Sequence, residues 1–266
     1  MPFRRLMDIV NIKQLSDNYA YLLICKATRK AAVIDPISYD DIEDAVRVHN
    51  VKSLEGVLVT HHHLDHSAGA PHFAEPNAKL RTQIYGGDKR IQSVSKLVKD
   101  GDKFKIGNIE IECLFTPCHT TGHICYHAKA SNNEGAVFTG DTLFIGGCGR
   151  FFEGTAEQMH YALNSVLAYL PDHTSVYCGH EYTEENLKFA LTVDKDNEVL
   201  KKKLNWAIEM RKQGRHTTPS TIGDEKTFNP FMRVNDSGLQ KTIGFIDPID
   251  VMQKLREMKN NYRSSL

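Results

Sequence analysis

Thr60-His61-His62-His63-Leu64-Asp65-His66 follows directly on Val57-Leu58-Val59. The apolar triplet predicts a short buried strand. A strand that ends in a tight turn presents its side chains at one edge of a sheet, and His61 and His63, two residues apart, can point the same way. His62 alternates away from them and reads as a packing or supporting residue. Asp65 and His66 follow as the chain turns into the next helix. Four polar groups after a buried strand are costly to bury without partners. Imidazoles mixed with a carboxylate suit a borderline divalent metal such as zinc, iron or manganese.

Three later segments repeat the plan. Ile111–Phe115 runs into Thr116-Pro117-Cys118-His119, Val137-Phe138 into Thr139-Gly140-Asp141, and Val176-Tyr177 into Cys178-Gly179-His180. Each is a short apolar strand, a small residue and one potential ligand. His119 or His180 alone would read as an ordinary partnered histidine, and Asp141 alone as a turn residue. In order behind His61, His63, Asp65 and His66, they complete a candidate set of seven metal ligands at strand ends, where α/β folds usually place functional groups.

Composition bounds the alternatives. The chain has 266 residues, 41% apolar and 25% charged, enough for one large domain or a domain with an appendage. Lys plus Arg and Asp plus Glu are both 33, so the formal net charge is zero, without the basic excess of a nucleic-acid binder. The six cysteines form no Cys-x-x-Cys pair and read as reduced thiols. The opening Met1-Pro2-Phe3-Arg4-Arg5-Leu6-Met7 lacks the apolar core of a signal peptide, and no apolar run approaches the ~18 residues of a membrane span. The expected protein is cytoplasmic, with a mitochondrial form as the alternative.

Strand and helix signals alternate up to about residue 180. Tyr19–Cys25 and Ala31–Asp35 read as strands around a turn, and Tyr39–Asn50 as an amphipathic helix. Thr155–Leu170 reads as a helix with a Thr155/Gln158 capping box and an apolar face of Met159, Ala162, Leu163 and Val166, stopped by Pro171. Beyond residue 183 strand signals vanish. Thr183–Val193 and Asn197–Gln213 read as helices, residues 214–229 as a long polar surface loop, and Asp247-Pro248 as the start of a last helix. The predicted organisation is a catalytic domain over 1–182 and a helical domain over 183–266.

The Thr-His-His-His-Leu-Asp-His stretch with His119, Asp141 and His180 resembles the metallo-β-lactamase superfamily. That resemblance implies an α+β fold, an αββα sandwich with metals at one edge. Leu15-Ser16-Asp17-Asn18-Tyr19, Thr116–His123, Phe138–Phe144, Gly147–Thr155, Gly179–Thr183 and Asn229-Pro230-Phe231-Met232-Arg233-Val234 resemble glyoxalase II, the hydroxyacylglutathione hydrolases. The glyoxalase II pattern adds a C-terminal helical domain that binds the glutathione portion of the substrate.

The resemblance implies two divalent metal ions per chain, zinc with iron or manganese as alternatives. His61, His63 and His119 would hold one, Asp65, His66 and His180 the other, and Asp141 would bridge them. Asp65 and Asp141 would also orient a bridging hydroxide for attack on the thioester of S-D-lactoylglutathione, a step of methylglyoxal detoxification. Arg150, Phe152, Tyr182, Arg256 and Lys259 match substrate-contact positions. Read from residues alone, Arg256 and Lys259 are a solvated basic face on one side of a helix. The sequence departs from the pattern at Phe152, where a tyrosine is usual, at Leu64, where an aromatic is common, and at Ala68-Gly69-Ala70, which replaces Gly-Gly-Asn. No departure removes a ligand. Expected partners are a glutathione thioester, no nucleic acid and no membrane, in a monomer. The alternatives are a mononuclear-iron persulfide dioxygenase of the same superfamily and a non-catalytic relative. A β-lactamase would leave the helical domain without a role, and an RNA-processing nuclease fits poorly with zero net charge.

Overall fold

A computed structural model of the chain describes residues 5–262. The chain forms two compact units. One comprises the chain up to Phe115 together with Gly122–Gly140; the other comprises Thr116–Thr121 and the chain from Asp141 onward.

The first unit opens with β1 (Met7–Gln14), β2 (Asn18–Cys25) and β3 (Lys30–Ile34), an antiparallel run. Every residue of β2 is buried, as expected of a central strand covered on both faces. After α1 (Tyr39–Val48) the chain adds β4 (Ser53–Leu58), parallel to β3. The Ser38 side chain caps α1 by accepting from the Asp41 backbone N–H at 3.2 Å. A single helical turn, α2 (Leu64–Ser67), precedes the short parallel strands β5 (Ile84–Gly86) and β6 (Lys96–Leu97), which finish a six-stranded sheet. Ala20, Leu22, Ile24, Val33, Val57 and Ile84 pack beneath Ile42 of α1 and Phe73.

The remaining strands of this unit are β7 (Lys103–Ile106), β8 (Ile109–Phe115), β9 (Ile124–Lys129) and β10 (Gly135–Gly140), an antiparallel meander. Ile109, Ile111 and Cys113 of β8 are buried and alternate with Glu110 and Glu112, the period-two signature of a strand with one buried face. The meander packs on the first sheet. Tyr21 meets Phe138 with ring centroids 5.6 Å apart, Tyr85 stacks on Phe104 at 4.4 Å, and the Tyr126 hydroxyl donates to the Val59 carbonyl at 3.0 Å.

The second unit contains the hairpin β11 (Leu143–Phe144) and β12 (Gly147–Cys148), then α3 (Ala156–His160). The Thr155/Gln158 capping box is present. Past His160 the helix widens into a π turn over Tyr161–Val166 and tightens over Leu167–Tyr169. A wider turn adds a residue per turn. The buried face therefore runs through Met159, Ala162, Leu163 and Leu167, and the expected Val166 lies only partly buried.

Next come β13 (Ser175–Cys178), α4 (Thr183–Val193) and α5 (Glu198–Lys212), at nearly the bounds read from the sequence. Residues 214–229 depart from expectation. They form β14 (Ser220–Thr221), paired antiparallel with β13, and α6 (Ile222–Phe228), and Thr217, Ser220, Ile222, Glu225 and Phe228 are buried. Several of the polar groups in this segment have partners. Thr217 donates from its backbone N–H and its hydroxyl to the Glu181 carboxylate at 3.0 and 2.5 Å, and Thr221 caps α6 by accepting from the Asp224 N–H at 3.0 Å. A composition that resembles a surface loop is thus absorbed by hydrogen bonding. Then follow α7 (Ser237–Ile243) and α8 (Pro248–Asn261), the latter capped by Asp247, whose side chain accepts from the Ile249 N–H at 2.8 Å. Among the described residues no helix is long and apolar enough to cross a membrane. All six cysteines are buried free thiols, and burial pushes those of Cys113, Cys118 and Cys178 up to about 12.

Candidate metal centre

In the first unit, β4 ends at Leu58 and the chain delivers Thr60 to His66 into α2. His61 and His66 are fully buried, whereas His63 and Asp65 are partly exposed. Nε2 of His61 lies 3.1 Å from Nδ1 of His63, and Nε2 of His66 lies 3.7 Å from Oδ2 of Asp65. Ligand atoms of His61 and His66 lie within 4.8 Å of each other. His62 turns away to Asp88, 3.6 Å from its carboxylate, which Arg90 also holds at 2.7 Å.

Neighbouring groups fix the ligand rings. Asp35, at the end of β3, receives the Thr60 N–H at 2.7 Å and the Thr60 hydroxyl at 2.7 Å, and lies 3.0 Å from Nδ1 of His66. That leaves Nε2 of His66 as the atom that could bind a metal. A carboxylate behind a metal-binding imidazole sets its tautomer and orientation. Asn18 donates its amide to the backbone carbonyl of Asp65 at 3.0 Å and to Oδ2 at 3.1 Å. His123 stacks on His61 with ring centroids 5.1 Å apart. Gly140 closes β10 with φ +45°, and a Cβ there would collide with Thr60 and His123, so only glycine serves.

In the second unit, Asp141 is the residue on which two imidazoles converge. Its Oδ2 lies 3.4 Å from Nε2 of His119 and 3.4 Å from Nε2 of His180. All three side chains are buried. Nδ1 of His119 is taken by the Arg150 carbonyl at 3.0 Å, so its Nε2 is the atom presented. His180 stacks on Tyr182, centroids 4.6 Å apart and planes within 6°.

These separations fit metal ligation. Two ligand atoms about 2.0–2.2 Å from one tetrahedral ion stand about 3.3–3.5 Å apart, close to the 3.4 Å seen on both sides of Asp141 Oδ2. One carboxylate oxygen equidistant from two imidazoles suits a bridging position. Nitrogen and oxygen donors with fixed tautomers suit a divalent ion.

The expected substrate residues fall in the second unit. Arg150, Phe152 and Arg256 line one cavity of about 320 Å³. Phe152 is 61% exposed and lies tilted against His119, ring centroids 5.1 Å apart. Tyr182 and Lys259 do not line that cavity; Tyr182 lies against Phe144 at 5.2 Å as well as His180. Arg256 and Lys259 are not a solvated face. Arg256 is 6% exposed, donates from Nη1 to the Cys148 carbonyl at 2.8 Å and lies 5.6 Å over the Phe231 ring. Lys259 donates to the Glu185 carbonyl at 3.0 Å and lies 5.3 Å over Phe189. Burial, with Arg256 nearby, lowers the Lys259 ammonium to about 8.

Residues 181–262 match the hydroxyacylglutathione hydrolase C-terminus family, and residues 40–199 match the β-lactamase superfamily domain. The cytoplasmic hydroxyacylglutathione hydrolase of Arabidopsis thaliana is 45% identical over 265 residues, covering 97% of this chain and 100% of that protein. The chain belongs to the hydroxyacylglutathione hydrolase family. A hydroxyacylglutathione hydrolase-like protein of Gallus gallus is 44% identical over 97% of this chain and 91% of its own length. Among solved structures, ETHE1 from Myxococcus xanthus superposes with a TM-score of 0.66 at 27% identity, covering 97% of this chain and 93% of that one. The fold is therefore the α+β metallo-β-lactamase fold with a C-terminal helical region, as the motifs implied. Near-complete coverage of hydrolase-family relatives favours a thioester hydrolase over the dioxygenase and non-catalytic alternatives.

Sequence reasoning left Asp35, Thr60 and His123 without a role in the site. Asp35 was legible only as the last residue of a predicted strand. Asn18 stood inside a quoted motif without a role, and its bond to Asp65 supplies one.

Proposed function

We propose that this chain hydrolyses S-D-lactoylglutathione and related S-2-hydroxyacylglutathiones to glutathione and a 2-hydroxy acid, using two divalent metal ions. His61, His63 and His119 would hold one ion, Asp65, His66 and His180 the other, with Asp141 between them. The observation that carries this reading is the placement of Asp141 Oδ2 at 3.4 Å from both His119 and His180. Zinc is the first candidate, with iron and manganese next. When bound, the ions supply hydroxide at neutral pH, since coordination can lower the pKa of water to about 7, and polarise the thioester carbonyl.

The chain's own groups do the rest. Asp35 and the Arg150 carbonyl hold His66 and His119 with Nε2 presented. Asp65 and Asp141 accept hydrogen bonds and so orient the attacking oxygen. Arg150, Arg256 and Lys259 bind the carboxylates of glutathione through charge-assisted hydrogen bonds. Tyr182 can donate from its hydroxyl, whereas Phe152 contributes only ring contact. A thiolate leaves readily, so no strong general acid is needed. Residues 1–182 would carry the chemistry and 183–266 would supply the glutathione-binding helices, a division supported by the family match over 181–262. The protein would act in the cytoplasm as a monomer.

The test is turnover of S-D-lactoylglutathione by purified protein, with metal content measured on the same sample. Turnover with about two metals per chain supports the whole reading. Two metals without turnover of this or related 2-hydroxyacylglutathiones would overturn the substrate while keeping the site. One iron with oxygen consumption would replace the hydrolase by the dioxygenase.

A further inference from the structure

The cavity that Arg150, Phe152 and Arg256 line has a third charged member, Glu257. The other residues lining it are uncharged, so its walls carry two guanidinium groups and one carboxylate. Glutathione carries the inverse set, two carboxylates and one ammonium. Gln253, Arg256, Glu257 and Asn260 come from one face of α8, spaced three, one and three residues apart. Arg256 forms the buried floor and the other three are exposed at the rim.

Two features mark the cavity as a recognition site for a zwitterion. Arg256 is buried, its Nε has no hydrogen-bond partner, and among the described residues no carboxylate pairs with it. A buried cation without a counter-ion is costly, and a ligand carboxylate would relieve that cost. Beside it, Gln253 Nε2 donates to Glu257 Oε1 at 2.9 Å, which holds the carboxylate on the cavity side of the helix. As an ordinary surface pair at i, i+4 this contact would be worth little; its place on the wall of a cavity whose other charged residues are both cations gives it a different use.

We propose that Glu257, oriented by Gln253, binds the α-ammonium of the γ-glutamyl end of the thiol, so that the pocket selects a zwitterionic dicarboxylate carrier over thiols that lack the amine. The proposal rests on the thioester-hydrolase reading above. Binding would be additive in charge. Arg150 and Arg256 face the carboxylates and Glu257 faces the ammonium. An exposed pair of this kind corresponds to a roughly fivefold effect.

The experiment compares kcat/KM of the full-length metal-loaded protein for S-D-lactoylglutathione and for its N-acetylated analogue, which keeps both carboxylates and loses the ammonium. N-acetylation is expected to raise KM about fivefold in the wild type and to leave kcat unchanged. In Glu257→Gln, which can keep the hydrogen bond from Gln253, the parent substrate should lose the same factor and N-acetylation should cost nothing further. Equal KM values for the two substrates in the wild type, or a preference for the parent substrate that survives in Glu257→Gln, overturns the proposal. Calorimetric binding of glutathione and N-acetylglutathione to the same two proteins separates this result from the parent reading. Glutathione preference without turnover would sustain the Glu257 assignment while the hydrolase reading fails, and equal binding would overturn the assignment by itself.

Discussion

The loop 60–66 and the helix 248–261 both carry proposed function, and opposite physics holds them in place. In the loop, four candidate ligands fall within six residues, and hydrogen bonds behind the rings orient His61, from Thr60 at 3.1 Å, and His66, from Asp35 at 3.0 Å. In the helix, Arg256 and Lys259 sit one turn apart among residues of ordinary composition. Their positions come from packing of charge against rings and carbonyls, with Phe231 and Cys148 about Arg256 and Phe189 and Glu185 about Lys259. A metal ligand set requires polar density that stands out in a sequence. An anion site requires only a cation whose surroundings are dry, and dryness is a property of the packed chain.

Asp141→Ala removes the oxygen that both His119 and His180 face. It should lose metal and activity together, by more than about 100-fold in kcat/KM, exceeding what loss of a supporting group costs. Full activity with two metals retained would sink the bridging assignment. Asp35→Asn tests the loop's support. It keeps an oxygen for Thr60 but presents an amide to His66, and metal affinity, read by chelator competition, should fall roughly 10- to 100-fold. An unchanged affinity would mean the loop holds its rings without help.

The helix should respond in KM. Lys259→Met should raise KM by a factor of about ten with kcat largely kept, because the contact lies away from the reacting centre. The wild type makes the same point through pH. Burial lowers the Lys259 ammonium to about 8, so the cation that binds carboxylate is present below that pH and lost above it. KM should rise as pH passes through about 8, and the rise should be absent in Lys259→Met. The stability sign is opposite. Between the folded value and the ordinary lysine value the unfolded chain binds more protons, so stability increases with pH across that window. The smallest effect is expected at the exposed ring near the ligands. Phe152→Tyr adds a hydroxyl where the glyoxalase II resemblance implies one, and should lower KM about two- to fivefold; no change would make Phe152 a packing contact only.

The metallo-β-lactamase fold, the candidate ligand positions and most helix bounds were legible from the chain because their signals are local. The Val57-Leu58-Val59 run before the histidines, the Thr155/Gln158 box and Asp247-Pro248 at the head of the last helix are read within four residues of one another. What the tertiary structure decided involves partners far apart in sequence. Asp35 and His66 are 31 residues apart, and Arg256 and Cys148 are 108. Residues 214–229 have the composition of a loop, yet Thr217 reaches back 36 residues to Glu181 and the segment becomes strand and helix. Local pattern sets which backbone conformation is cheap and which chemistry is available. Burial and long-range hydrogen bonds decide which polar groups are dry, fixed in orientation and therefore usable.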